Sequence, residues 1–279
     1  MANRIKRGKI QISQIVLITI ILLTLFIMLY PLAMALWNSF KSDLAYENTR
    51  WYPTLPLRYK NLVAGFEAVY KYIINTVIVA GIGIPGMLLI ASMASFAFTK
   101  ISFPGKLVFF YMVMALMMVP VILTLIPAFL LYKSLGLQNS LMSLIIPLWT
   151  SSCVGSMFLL VSFMASLPNE LFEAAQIDGG GVLRSFYYIA LPLSAPILGT
   201  VAIMQIVNVW NDYIWPRIIL DETKFTISAG LLLTFSSEYT VNMPVMFAAY
   251  LVSSSPLILL FIFANKFYIR GLTSAGIKM

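Results

Sequence analysis

The sequence predicts an all-α integral membrane protein with six transmembrane helices. Of its 279 residues, 61% are hydrophobic and 10% are charged, and the mean hydropathy is +0.93. A water-soluble domain needs a polar surface and does not reach these values. Six uncharged stretches can each supply the roughly 20 apolar residues that a spanning helix requires. We place the cores of these spans at residues 15–37, 72–98, 107–132, 141–164, 195–216 and 244–265, in a single domain that covers residues 1–279.

The first span follows a basic cluster, Arg4, Lys6, Arg7 and Lys9, as the core of a cleaved signal peptide also does. A signal core is only about 7 to 15 residues long and ends in an A-x-A-like cleavage site. The apolar stretch here is longer, and no such site closes it. We therefore predict a retained membrane anchor.

The loop from about 38 to 71 carries mixed charges and ends in an amphipathic run from Leu57 to Tyr72. Aromatic residues in this run suit an interfacial helix on the outer membrane surface. A simple connecting helix explains the same pattern, and both interpretations stay open.

The second span contains Gly81, Gly83 and Gly86, which spell the dinucleotide-binding pattern G-x-G-x-x-G. No strand precedes the pattern and no acidic residue follows about 20 positions later, so the context that gives it meaning is missing. We interpret these glycines as sites of close helix approach. We expect kinks at Pro85, Pro120 and Pro127.

Charge placement predicts the orientation, because basic residues are retained on the cytoplasmic side. With the N-terminus inside, the cytoplasmic segments hold ten basic and three acidic residues, and the outer segments are close to neutral. Both termini and the segment 166–194 are then cytoplasmic. The net charge of +8 follows from membrane topology, and no basic patch interleaved with aromatic residues indicates nucleic-acid binding.

The residue inventory disfavours an enzyme. The sequence has no histidine, which removes the commonest general base and metal ligand. Its one cysteine, Cys153, lies inside the fourth span, so an internal disulfide is excluded. A membrane enzyme would need a cluster of acids, cysteines or histidines at one face, and the sequence shows none.

The segment 166–194 is a polar island that we predict to fold as two short helices. Ser166 and Pro168 are typical of a helix start. Leu171, Phe172 and Ala175 would form one apolar face, with Glu173 and Gln176 directed elsewhere, and the helix would end at Asp178 and Gly179.

Gly179, Gly180 and Gly181 allow a sharp turn into the second helix. The second helix would pack through the stripe Val182, Leu183, Phe186, Ile189 and Ala190. A residue before proline is disfavoured in helical conformation, so we expect this helix to stop at Leu191, before Pro192.

The fifth span ends in an aromatic and polar run from Trp210 to Pro216. Asp212 is the one acid that we place within a span, where a charge is costly. Trp210, Tyr213 and Trp215 would stack on a sugar ring while Asn211 and Asp212 bind its hydroxyls. An interfacial aromatic belt is the competing interpretation.

A long outer segment follows, from Arg217 to Met243, with a short apolar run from Ile227 to Phe235. Nine residues are too few to cross a bilayer. The run is either a re-entrant hairpin or a loop that projects outward to touch a partner.

The polar island resembles the EAA loop of ABC-importer permeases, whose pattern is E-A-A-x-x-D-G followed by I-x-L-P. The matching residues are Glu173, Ala174, Ala175, Asp178, Gly179, Ile189, Leu191 and Pro192. Further stretches are similar to the carbohydrate-uptake branch, specifically to the smaller maltose-type permease subunit. They are NTVIVA at Asn75, FPGK at Phe103, MMVP at Met117, GLQNS at Gly136, WNDYIWP at Trp210 and RGLTSAGIK at Arg270.

The resemblance implies a type I ABC importer permease fold in a bacterial or archaeal cytoplasmic membrane. It implies that the first helix of the island, a coupling helix, docks in a groove of a cytoplasmic ATPase dimer through Glu173, Ala174, Ala175, Asp178 and Gly179, with Leu191 and Pro192 completing the motif. A second homologous permease subunit and an external sugar-binding protein would complete the importer, and the segment from Arg217 to Met243 would reach toward that binding protein. Gly180 departs from the pattern, in which alanine is frequent.

The chain lacks a G-x-x-x-x-G-K phosphate loop, so we expect the partner ATPase to bind ATP and Mg²⁺. The predicted function is therefore that of a permease subunit in an ATP-driven sugar or oligosaccharide importer. A permease for another polar solute, such as a polyol or a glycerol phosphodiester, is the closest alternative. A secondary transporter fits less well, because it would place ionisable groups at mid-membrane.

Overall fold

The computed structural model describes residues 12–236 and 242–276, with side chains described for 13–236 and 242–264. The described residues fold as helices joined by turns and loops, without a strand, which confirms the all-α class. The chain divides into two compact units, Met1–Glu67 with Ser237–Val252, and Ala68–Ser236 with Ser253–Met279. The basic residues at positions 4 to 9 and Lys278 lie outside the described residues, as do the side chains of Lys266 and Arg270.

The first unit contains the apolar helix α1 (Ile12–Asn38), the short α2 (Asp43–Thr49) and the first turns of α3 (Lys60–Lys100) and α14 (Met243–Gly276). These first turns pack closely at Gly65, where an added Cβ would lie 2.7 Å from the backbone nitrogen of Ala249. The amphipathic run from Leu57 to Tyr72 does not form a separate interfacial helix. From Lys60 onward it is the beginning of α3, which continues as one helix to Lys100.

In the second unit α3 packs against a continuous helical stretch made of α6 (Met142–Pro147), a π-helical segment (Leu148–Ser152) and α7 (Cys153–Ala165). An added Cβ would lie 2.3 Å from Leu148 Cδ1 at Gly83 and 2.4 Å from Trp149 Nε1 at Gly86. The Trp149 indole also donates a hydrogen bond of 3.0 Å to the Gly83 carbonyl. The predicted close approach is confirmed at these two glycines, whereas Gly81 faces open space.

The predicted third span is broken in the middle. It consists of α4 (Lys106–Ala115), a 3-10 turn (Leu116–Met118) and α5 (Val121–Ser134), and its two halves are bent by 97°. The break falls at Pro120, which has no N–H to continue the helical ladder. The kink expected there is confirmed, and it is large enough to give two helices in place of one.

The second helix of the polar island continues further than predicted. It runs through α9 (Val182–Ser185), a π-helical segment (Phe186–Ala190) and α10 (Leu191–Leu193). Leu191 is helical, with φ −65° and ψ −48°, so the expected stop before Pro192 is wrong. The π-helical turn explains this difference, because its hydrogen-bond ladder is already irregular where the proline ring must fit. The chain then bends by 72° around Ser194 into α11 (Ala195–Asn211).

The fifth span is shorter than its predicted core, because α11 ends at Asn211 and Asp212 adopts an extended conformation. Two short helices follow, α12 (Ile214–Ile219) and α13 (Ile227–Thr234). The second contains the apolar run whose place the sequence left open. It packs inside the second unit, where the Ile227 N–H donates to Thr76 Oγ1 at 2.8 Å and Asn75 Nδ2 donates to the Phe225 carbonyl at 3.1 Å. The first part of this run, residues 227–231, is buried or half-buried inside the second unit, so the run does not project outward as a loop.

Within the described residues, four helices are long and apolar enough to cross a membrane. They are Ser13–Asn38, Lys60–Lys100, Met142–Ala165 and Met243–Ala264. The number rises to six if the bent pair at Pro120 and the bent pair at Ser194 each form one span. A multi-pass membrane protein is therefore confirmed by length and composition.

Candidate functional site

The polar island lies between the end of α7 and the start of α11, as a hairpin whose first arm is α8 (Glu170–Ile177). Within α8, which the structure describes completely, Phe172 is the one buried residue. Glu173, Ala174 and Gln176 are exposed, and Ala175 is half-buried. The helix thus buries one side chain fully and exposes most of the others.

The turn after α8 needs two glycines. Gly179 has φ +74°, a left-handed conformation that favours glycine. The Gly179 N–H donates to the Gln176 carbonyl at 3.1 Å, and the Gly180 N–H donates to the Ala175 carbonyl at 2.7 Å. This pair of bonds is a Schellman motif capped by Asp178. An added Cβ at Gly180 would lie only 2.6 Å from the Ala175 oxygen, so glycine at this position is required by the backbone path.

An aromatic cluster, defined here as Phe96, Phe172 and Phe186, anchors the hairpin. The Phe96 ring centroid lies 5.9 Å from that of Phe172 and 5.5 Å from that of Phe186. Met164 and Ala190 complete this buried cluster, and Leu191 packs against its edge. Leu191 therefore stabilises the base of the hairpin, while Pro192 is exposed at the start of the bend.

The expected apolar stripe of the second arm is only half correct. Phe186 and Ala190 are buried, but Val182 and Leu183 are exposed by 53% and 65%. Ile177 at the end of α8 is 86% exposed. Large apolar side chains left exposed on a polar segment are typical of an interaction site. We define the hairpin surface as Glu173, Ala174, Gln176, Ile177, Val182 and Leu183.

The second unit also contains an open cavity of about 780 Å³. One wall is the π-helical segment, with Thr150, Ser151 and Ser152, and another is α11, with Gln205 and Asn208. The bend at Pro120 contributes apolar side chains such as Met117 and Val119. Among the described residues that line the cavity, Asp212 is the one charged group.

The polar groups on α11 form a hydrogen-bonded ladder. Gln205 Nε2 donates to Ser156 Oγ at 3.1 Å, and Asn208 Nδ2 donates to Gln205 Oε1 at 3.4 Å. Asp212 Oδ1 accepts the Trp215 N–H at 3.4 Å. Sequence reasoning missed Gln205 and Asn208 because they are uncharged. Gln205 and Asn208 lie seven and four residues before Asp212, on one helix face, and this spacing is the signal that predicts them.

Two of the five residues predicted to line a substrate path do line this cavity, Asp212 and Trp215. Trp210, which we also predicted to line the path, does not line the cavity. Its side chain is only 7% exposed, and its indole donates to the Ser253 carbonyl at 3.1 Å. Asn211 and Tyr213 are exposed outside the lining. Consecutive residues near a helix end point about 100° apart, so one run does not face one cavity.

Trp215 is held in place by its neighbours. Its indole donates to the Ser143 carbonyl at 2.9 Å, and its ring meets the Tyr132 ring at 5.7 Å between centroids.

No group of three or more His, Cys, Asp or Glu side chains able to hold a metal ion occurs in the part of the chain that the structure describes. The cavity therefore offers an aromatic edge, amides, hydroxyls and one carboxylate, groups that suit hydroxyl-rich solutes.

A helical membrane protein with an exposed hairpin and a cavity that carries amides, hydroxyls and a carboxylate among apolar side chains has the features of a transport subunit. Residues 86–274 match the family described as binding-protein-dependent transport system inner membrane component. The chain is 34% identical over 192 residues to the arabinooligosaccharides transport system permease protein AraQ of Halalkalibacterium halodurans, covering 68% of each chain. It is 29% identical over 255 residues to the diacetylchitobiose uptake system permease protein NgcG of Streptomyces coelicolor, covering 90% of this chain and 84% of that one.

The fold is similar to that of a chain in the crystal structure of a bacterial ABC transporter involved in the import of the acidic polysaccharide alginate. The TM-score is 0.82 at 20% sequence identity, over 96% of this chain and 99% of that chain. This likeness shows the type I ABC importer permease fold. The chain belongs to the family of binding-protein-dependent transport system inner membrane components, the permease subunits of ABC importers.

Proposed function

We propose that this chain is a permease subunit of an ATP-driven importer of sugars or oligosaccharides, and that it forms half of the translocation pathway. Two relatives are named for arabinooligosaccharides and for diacetylchitobiose, both neutral and rich in hydroxyl groups. The cavity lining matches this chemistry, because its amides and hydroxyls both donate and accept hydrogen bonds. Permeases for polyols or glycerol phosphodiesters are the nearest alternative.

The hairpin surface is the proposed docking site for a cytoplasmic ATPase. The observation that carries this proposal is that α8 buries only Phe172 and exposes Glu173, Ala174 and Ile177. A helix anchored by one side chain and surrounded by exposed apolar groups suits a cleft on another protein. In this proposal the ATPase dimer binds ATP and Mg²⁺, and the permease binds neither.

Transport then follows from a difference in binding free energy. The ATPase dimer would bind the hairpin differently in its open and closed states, so ATP binding would shift the permease between inward-facing and outward-facing conformations. A second homologous permease would form the other half of the path, and an external binding protein would deliver the sugar. The membrane would be a bacterial or archaeal cytoplasmic membrane, with both termini of this chain inside.

The test is uptake by the assembled complex in proteoliposomes, with radiolabelled diacetylchitobiose and arabinotriose as probes. We expect ATP-dependent uptake, and we expect Glu173→Lys and Gly179→Asp to leave the subunit inserted but to uncouple ATP hydrolysis from uptake. Glu173→Lys reverses a charge on the hairpin surface, and Gly179→Asp strains a backbone at φ +74°.

Unchanged uptake by both variants would contradict the proposed role of the hairpin. Uptake by this chain alone that needs no ATP and stops with an ionophore would establish a secondary transporter. Assembly of each variant is checked by the yield of the purified complex, so that loss of insertion is not mistaken for uncoupling.

A further inference from the structure

Lys100, the last residue of α3, reaches across to the chain that leads into α8. Its ammonium donates to the Leu167 carbonyl at 2.6 Å and to Asn169 Oδ1 at 2.8 Å. The same ammonium lies 4.9 Å from the centroid of the Phe172 ring. One cation thus binds the turn before α8 and the single buried side chain of α8.

These contacts are stronger than the usual contacts of a surface lysine. Hydrogen bonds from a charged donor are roughly twice as strong as neutral ones, and a cation over an aromatic face adds further attraction. Glu170, at the first position of α8, also attracts the Lys100 charge. The ammonium is therefore held by a carbonyl, an amide oxygen and a ring, all contributed by residues 167–172.

Phe172 is contacted by α3 at two positions one helical turn apart. Phe96 meets the ring at 5.9 Å between centroids, and Lys100, four residues later on the same helix face, meets it at 4.9 Å. Because Phe172 is the one buried residue of α8, these two contacts link α8 directly to the end of α3.

We propose that Lys100 is a positioning residue that ties the coupling hairpin to the end of α3, so that displacement of α8 moves this membrane helix. This inference rests on the proposed function, in which an ATPase pushes on α8. Packed side chains respond to displacement by moving together or by separating, since cores are not continuously deformable. With Lys100 in place α3 follows α8, and without its contacts α8 moves more independently.

The first measurement is the number of diacetylchitobiose molecules imported per ATP hydrolysed by the reconstituted complex. Lys100→Met keeps the aliphatic stem and removes the charge, and we expect it to lower this ratio by about tenfold while ATP hydrolysis continues. Lys100→Arg keeps a cation and its donors, so it should preserve most of the ratio. Lys106→Met is the matched control, because Lys106 donates to the Ile101 carbonyl and not to Leu167 or Asn169. Its ratio should equal that of wild type.

The second measurement does not depend on transport. A spin label at Ile177→Cys, in a Cys153→Ser background, reports the mobility of α8 in the purified complex without nucleotide. We expect Lys100→Met to increase the mobility and Lys106→Met to leave it unchanged. Increased mobility with an unchanged transport ratio would show that Lys100 holds α8 but does not transmit its movement to α3. Unchanged mobility would show that Lys100 does not hold α8. A wild-type complex that imports nothing with ATP would refute the proposed function, while the label still tests the tie.

Discussion

Single residues determine the shape of the hairpin turn. Gly179 was predictable, because a polar helix followed by glycine is a common helix end. The need for glycine at 180 was not predictable, since it depends on a distance of 2.6 Å between an added Cβ and the Ala175 oxygen. The resemblance even suggested that alanine would be acceptable there, and the backbone path shows why it is not.

We expect Gly180→Ala to destabilise the turn by about 1 to 3 kcal/mol, because the backbone oxygen it meets cannot move aside easily. Gly181→Ala is the control, since an added Cβ there meets no atom within 4 Å. Hydrogen–deuterium exchange of the α8 amides in the purified complex measures the difference. Faster exchange in Gly180→Ala alone is the expected result, and equal exchange in the two variants would refute the steric argument.

Lys100 shows a second limit of sequence reasoning at this scale. A lysine at the end of an apolar run predicts a membrane boundary, and only its charge enters that prediction. Its contacts with Leu167 and Asn169 join residues 67 and 69 positions apart. Contacts at such separations follow from the packing of α3 against the hairpin, which no local pattern indicates.

At the scale of elements, the apolar runs predicted that helices form but not how they bend. Pro120 indicated a kink, and the observed bend of 97° divides the span into two helices. At Pro192 the same kind of reasoning was wrong, because the π-helical segment Phe186–Ala190 accommodates the proline and the bend moves to Ser194. A π-helical turn depends on tertiary packing, so local residue preferences did not reveal it.

The cavity-facing side of α11 leads to a prediction about transport. Asn208 lines the cavity, whereas Asn211 lies outside it and donates to the Val207 carbonyl at 2.8 Å. We expect Asn208→Leu to raise the apparent KM for diacetylchitobiose uptake about three- to tenfold, the loss of one hydrogen bond to the solute. Asn211→Leu should change it less than about twofold.

The pair is measured as initial uptake rates in proteoliposomes over a range of sugar concentrations. Equal KM values for the two variants would show that this face of α11 does not contact the solute. A larger increase in KM for Asn211→Leu than for Asn208→Leu would indicate that the solute contacts Asn211, as the sequence predicted.

At the scale of the whole molecule, two separate features of the second unit account for the proposed function. The cavity carries groups that would bind a hydroxyl-rich solute, and the hairpin exposes a surface that a partner would bind under this proposal. Composition alone predicted a membrane protein, because an apolar content of 61% is too high for the polar surface of a water-soluble domain. The burial of the Trp210 side chain away from the cavity was not predictable, since it depends on a contact with Ser253, 43 residues away.

The central claim is that a separate ATPase acts on this chain through α8. A photo-crosslinking residue at Ala174, which is exposed on α8, tests this claim in native membranes. The same residue at Tyr59, which is 64% exposed in the segment predicted to lie outside, is the control. We predict an adduct between position 174 and an ATPase subunit, and none from position 59. An intact complex that gives no ATPase adduct at position 174, or equal adducts at both positions, would contradict the account.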